Sequence, residues 1–212
     1  MSRLIRTARL LFVAVALFCC SAAMAQDGEG KSTSAKSGTI DSGWGLTSGR
    51  YAVKTNVLMD LAGAVNLGVE VALCNRFSVD IPLYYSPYAY ADSWSLKGFA
   101  VQPELRFWLG KGAFSGCFVG VHGEMGVFNV ATSEDYRYES YNNEPSWGVG
   151  LSCGYAMKLS ERLGAEFAIG AGYVDMTYNK YYNTEGGKLV DENVQKDYWG
   201  LTKLSIGLSY SF

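Results

Sequence analysis

From residue 51 to the C-terminal Phe212, apolar and polar residues alternate with period two in eight successive segments. Such alternation sends successive side chains to opposite faces of a β-strand, and eight repetitions restrict the chain to a sheet fold with two chemically different faces. The segments span residues 51–60, 65–73, 77–85, 96–109, 117–130, 147–159, 163–173 and 198–212. In the second, Val65, Leu67, Val69, Val71 and Leu73 oppose Asn66, Gly68, Glu70 and Ala72. In the last, Leu204, Ile206, Leu208, Tyr210 and Phe212 oppose Lys203, Ser205, Gly207, Ser209 and Ser211.

Period two alone suits either a soluble barrel or sandwich, with apolar residues inside, or an outer-membrane barrel, with apolar residues toward lipid. Three features favour the second. Many segments reach the 9–11 residues of a tilted membrane crossing, whereas soluble strands average about 5–6. The polar face is rich in Gly, Ala and Ser, which suit a narrow barrel interior better than a solvent face. The chain also closes an alternating strand with a terminal Phe, similar to the signal read by the barrel insertion machinery of Gram-negative bacteria. Leu208, Tyr210 and Phe212 carry that signal. The fold expected is an eight-stranded antiparallel outer-membrane β-barrel over residues 50–212.

The N-terminal residues read as an address. Arg3, Arg6 and Arg9 precede an apolar run from Leu10 to Cys20, and Ala23-Met24-Ala25 offers a small-x-small cleavage site before Gln26. The run is too short for a spanning helix, and no stop-transfer pattern follows. Lipidation at Cys19 or Cys20 is disfavoured by the Phe or Cys that precedes each. Residues 1–25 are therefore read as a signal peptide, and residues 26–49, rich in Gly, Ser, Thr and Lys, as a flexible periplasmic leader.

The full chain carries 18 basic and 20 acidic residues. Loss of the signal removes three Arg and leaves a mature charge of about −5, which disfavours nucleic acid and a polybasic lipid-surface mode. Cys74, Cys117 and Cys153 remain, an odd number with no disulfide framework. With one His and scattered Cys, no metal, cofactor or catalytic site is expected.

Connection lengths alternate. Residues 74–76, 110–116 and 160–162 form short turns of the periplasmic kind, while 86–95, 131–146 and 179–197 form long, polar, Tyr-rich outer loops. The first outer connection, 61–64, is short. Both termini then face the periplasm. Trp94, Phe99, Trp147, Tyr173, Tyr178, Tyr198 and Trp199 are assigned to an upper aromatic belt. Tyr51, Phe77, Phe107, Phe114, Tyr210 and Phe212 form a lower one.

Inward parity places Lys54, Arg106, Lys158 and Lys203 in the lumen beside Glu70, Asp80, Glu104, Glu124 and Glu166. Near-balance of charge predicts a structural network, because a lone buried ion costs several kcal/mol. A gated solute path is the alternative, although eight strands leave an interior about filled by side chains. His122 also points inward, two residues from Glu124, and the pair is placed to hydrogen-bond. A lipid-modifying barrel enzyme would need a lipid-facing His and Ser instead. Tyr136, Tyr138 and Tyr141 form a candidate partner-binding loop, since Tyr gives contact area at low entropic cost.

Lys54-Thr-Asn-Val-Leu-Met-Asp60, Asn66-Leu-Gly-Val-Glu70, Gln102-Pro-Glu-Leu-Arg-Phe-Trp108, Gly120-Val-His122 and Trp199-Gly-Leu-Thr-Lys203 resemble a family of uncharacterised Bacteroidetes outer-membrane proteins. The resemblance spans nearly all of residues 51–212. That family is a domain of unknown function whose genes often neighbour fimbrillin-type adhesin genes. The resemblance implies a link to surface fimbriae and a fimbrial or host partner, and it carries no known catalytic residues to transfer. Met59 stands where the family usually has an aromatic, and Leu201 where Pro is common before the Thr-Lys pair.

Overall fold

The computed structural model describes residues 51–91, 94–110, 112–131, 135–184 and 187–212. The expected signal peptide and leader lie outside them. In chain order come β1 (Tyr51–Asn56), a short helix α1 (Val57–Leu61), β2 (Val65–Ala72), β3 (Phe77–Ala91), β4 (Trp94–Val101) and β5 (Glu104–Trp108). There follow β6 (Gly116–Ala131), β7 (Tyr136–Ser140), a 3₁₀ turn (Tyr141–Asn143), β8 (Ser146–Lys158), β9 (Leu163–Tyr182) and β10 (Leu189–Ser211). Among the described residues no helix is long and apolar enough to cross a membrane, which says nothing of crossing by strands.

Every pairing is antiparallel, and β10 pairs with β1, so one sheet closes on itself. Ten strands occupy eight positions in the ring. β4 and β5 share the place between β3 and β6, and β7 and β8 share the place between β6 and β9. The β4–β5 break falls at Gln102-Pro103, inside the single strand expected over 96–109. Pro103 has no N–H to give the ladder. The break is local: Gln102 N donates to Pro82 O at 3.1 Å, and Gly123 N donates to Pro103 O at 2.9 Å.

Burial is inverted relative to a water-soluble sheet protein. Along β2, Asn66, Gly68 and Glu70 are buried while Val65 and Leu67 are more than half exposed. Leu151, Ile206 and Phe99 lie on the same outer surface. The interior is polar through its middle and apolar at the end carrying the short turns. There Trp108, Phe118, Ala156 and Ala168 are buried against Ala113 and Phe114. The Trp108 and Phe118 rings lie 4.9 Å apart.

Four expectations are corrected. The first strand stops at Asn56 rather than running to residue 60. The Asn56 side chain accepts from Leu58 N at 3.2 Å and caps α1, while Asp60 accepts from Thr55 Oγ1 at 2.7 Å and from Asn66 Nδ2 at 2.9 Å. These bonds reward a helical turn that period-two counting cannot register. The three long loops are instead largely paired strand: Pro87 opposes Lys97, Tyr138 opposes Lys180, and Val194 opposes Tyr178. Aromatic and β-branched residues found cross-strand partners there.

Phe114 does not join a lower belt but meets Trp108 edge-on at 6.3 Å, inside the apolar cluster. Tyr198 does not accompany Trp199, because neighbours on a strand face opposite ways. Trp199 is exposed and packs on Tyr173 at 5.0 Å, while the Tyr198 hydroxyl turns to Leu201 O at 3.3 Å. Ring pairs form between Trp147 and Tyr173, Phe77 and Phe107, and Tyr210 and Phe212.

Candidate functional site: the interior of the ring

Six strands deliver charge to the middle of the interior, each at an inward position of its alternation. Arg106 on β5 is the hub. Its Nη2 lies 2.7 Å from Asp80, its Nη1 3.1 Å from Glu70 and 2.8 Å from Glu166, and its Nε 2.6 Å from Glu104. Lys54 reaches Glu70 at 2.8 Å, Glu166 at 2.6 Å and Asp80 at 3.6 Å. Lys203 reaches Glu104 at 3.0 Å. A guanidinium suits the hub because its five donors radiate in a plane and it stays charged.

Neutral donors complete the set. Ser78 Oγ donates to Glu70 at 2.5 Å and accepts from Trp108 Nε1 at 2.8 Å, and Ser152 Oγ donates to Glu104. The Arg106 guanidinium also sits 4.4 Å over the Phe118 ring, joining the charged layer to the apolar cluster. Glycine makes the space: a Cβ on Gly120 would lie 2.5 Å from Glu104 Oε1 and 2.7 Å from Ser152 Oγ. Gly150 and Gly170 do the same for the His122 ring.

The structure thus brings together Lys54, Glu70, Asp80, Glu104, Arg106, Glu166 and Lys203 from the expected set. It separates the other three. His122 is fully buried, but its Nε2 lies 2.8 Å from Thr202 Oγ1 and the expected bond to Glu124 is absent. Glu124 instead accepts from Gln102 Nε2 at 2.9 Å. Same-face residues two apart on a strand are about 7 Å apart, so their tips enter different layers. Lys158 is not in the lumen: as the last residue of β8 it lies past Ala156, a member of the apolar cluster, and is exposed.

Chemically, the arrangement holds charge still. Every carboxylate of the central set is ion-paired, and the Ser78 and Ser152 hydroxyls each donate to a carboxylate. Among the described residues His122 Nδ1 has no hydrogen-bond partner. Among the described residues no cluster of His, Cys, Asp and Glu has the arrangement of a metal site.

Ser78, Ser152 and Trp108 were not singled out from the sequence, although their inward parity marks them. Thr202 was hidden by a register shift between Leu201 and Lys203. Outside the ring, Leu208 and Tyr210 are exposed on β10 and Phe212 just past its end, where Phe212 N donates to Tyr51 O at 3.0 Å. Tyr136 and Tyr138 share one face of β7. Tyr136 stacks on Tyr182 at 5.7 Å under Lys180 Nζ at 3.9 Å, and Tyr138 meets Tyr178 at 5.5 Å. Tyr141 lies apart in the 3₁₀ turn.

No curated protein matches the chain. A family model described as "Protein of unknown function (DUF3575)" matches residues 30–212, and the chain belongs to that family.

Proposed function

We propose that this chain is a non-enzymatic outer-membrane β-barrel of a Gram-negative envelope, with outer hairpins that engage a fimbrial or host surface partner. The observation that carries the reading is the height of the apolar outer band. On β8 the outward residues run from Trp147 to Met157, which is about 33 Å of strand and about 25 Å along the axis at a tilt of ~40°. That is the height of an outer-membrane apolar band. The charged, ion-paired interior is the complementary half of the same pattern.

In this reading residues 1–25 are a signal removed before Gln26, both termini are periplasmic, and the terminal Phe212 strand addresses the chain to the insertion machinery. The Bacteroidetes resemblance and its fimbrillin neighbours supply the surface role, and the Tyr136, Tyr138, Tyr178 and Tyr182 row supplies contact area for it. The Trp108–Phe118 cluster and the ion-paired layer argue against an open channel. Planar bilayers should therefore record no stepwise conductance, and lipid A masses should be unchanged by His122→Ala.

The test is cell fractionation with gel electrophoresis of unboiled and boiled samples. Outer-membrane recovery and faster migration before boiling are expected. A protein recovered in the periplasm, migrating identically in both lanes, would overturn the barrel. Loss of adhesion or fimbrial display on deleting residues 131–146, with insertion preserved, is expected for the surface role; unchanged phenotypes would refute it.

A further inference from the structure

Above the charged layer, in the half of the interior nearer the long hairpins, lies a cavity of about 360 Å³. This is within the size range of small-molecule sites, about 300–1,000 Å³. Its walls are mainly apolar, with Met59, Leu96, Phe128, Val174 and Met176 among them. Polar groups interrupt the apolar lining: Tyr84, Ser86, whose hydroxyl donates to Leu96 O at 2.6 Å, Glu124, and the hydroxyl of Ser146, buried without a hydrogen-bond partner among the described residues.

Glu124 differs from its neighbours below. Glu70, Asp80, Glu104 and Glu166 each have a cation within 4.0 Å, whereas Glu124 forms no ion pair among the described residues. Its partner is the neutral amide of Gln102, itself anchored to Thr202 O at 3.0 Å. Gly148 leaves room for the carboxylate, since a Cβ there would lie 2.8 Å from its Cγ and Oε1. Lys97 also borders the cavity but does not serve as counter-ion: on β4 it shares the outward parity of exposed Phe99, opposite to Gly98 and Ala100. A carboxylate held in an apolar pocket without a cation is a ready partner for one brought from outside.

We propose that this cavity binds a small apolar ammonium ion, its hydrocarbon body among Met59, Val174 and Met176 and its charged head on Glu124 and Ser146. The assignment does not depend on the surface role, because it uses none of the hairpin tyrosines. A charge-assisted contact in such a site favours the cation over its neutral isostere by roughly tenfold or more.

The experiment uses the chain refolded in a neutral detergent, with methyl NMR of the methionines and three matched probes. These are phenylbutylammonium, phenylbutanol and phenylbutanoate. The ammonium ion is expected to shift the Met59 and Met176 resonances saturably, with at least tenfold tighter binding than the alcohol, while the anion binds weakest. Glu124→Gln should bring cation and alcohol to equal affinity, and Val174→Trp should remove both by filling the space. Equal affinities for all three probes in the wild type would overturn the proposal. So would a cation preference that survives Glu124→Gln, or shifts confined to the outward-facing Met157, which would indicate partition into the micelle.

Discussion

The two halves of the interior are built from the same alternation and solve opposite problems. In the half nearer the short turns, Arg106, Lys54 and Lys203 are matched against Glu70, Asp80, Glu104 and Glu166, and Trp108 and Phe118 close the space beneath. In the half nearer the long hairpins, Glu124 has an amide but, among the described residues, no cation, and an apolar cavity remains over it. The contrast separates charge that stabilises from charge that is available. A buried ion whose neighbours satisfy it supports structure, and a half-buried one left unmatched beside empty volume is free to recognise something.

Breaking the matched half should cost most. Arg106→Met leaves four carboxylates sharing two lysines, and removing one partner of a buried pair costs about 3–5 kcal/mol. A correspondingly lower urea midpoint in micelles, followed by tryptophan fluorescence, is expected. Next comes space: Gly120→Ala drives a methyl against Glu104 and Ser152, for a loss of roughly 1–3 kcal/mol. Because the obstructing atoms belong to side chains, adding Ser152→Gly should recover part of that loss in a double-mutant cycle. Full additivity of the two substitutions would deny the contact.

Trp108→Phe removes the indole donor to Ser78 and should cost about 1 kcal/mol beyond any packing change. The smallest effect belongs to the residue the matched layer excludes. Lys158→Ala should stay within about 0.5 kcal/mol of wild type, and a loss comparable with that of Arg106→Met would return Lys158 to the network.

Much of this contrast was legible in the sequence. Period two gave the ring positions and the inward parity of the seven charges that meet. Parity says which face a residue takes but not its height, so Lys158 was placed inside although it lies beyond Ala156. Height also decides partners. His122 and Glu124 share a face, yet strand stagger sets one against Thr202 and the other against Gln102. The α1 turn was illegible because it rests on side-chain bonds among Thr55, Asn56, Asp60 and Asn66, and these require β1 and β2 to be paired already. The Tyr-rich segments read as loops because their polarity masked the cross-strand partners that make them strand.

The inverted pattern itself is most directly tested by a nitroxide scan along β8, residues 147–157, in lipid bilayers, comparing collision with oxygen and with a water-soluble paramagnetic reagent. Oxygen accessibility should peak at 147, 149, 151, 153, 155 and 157 and fall at the positions between, with the water-soluble reagent excluded from the peaks. Maxima of the water-soluble reagent at those same odd positions would contradict a lipid-facing wall around a charged interior.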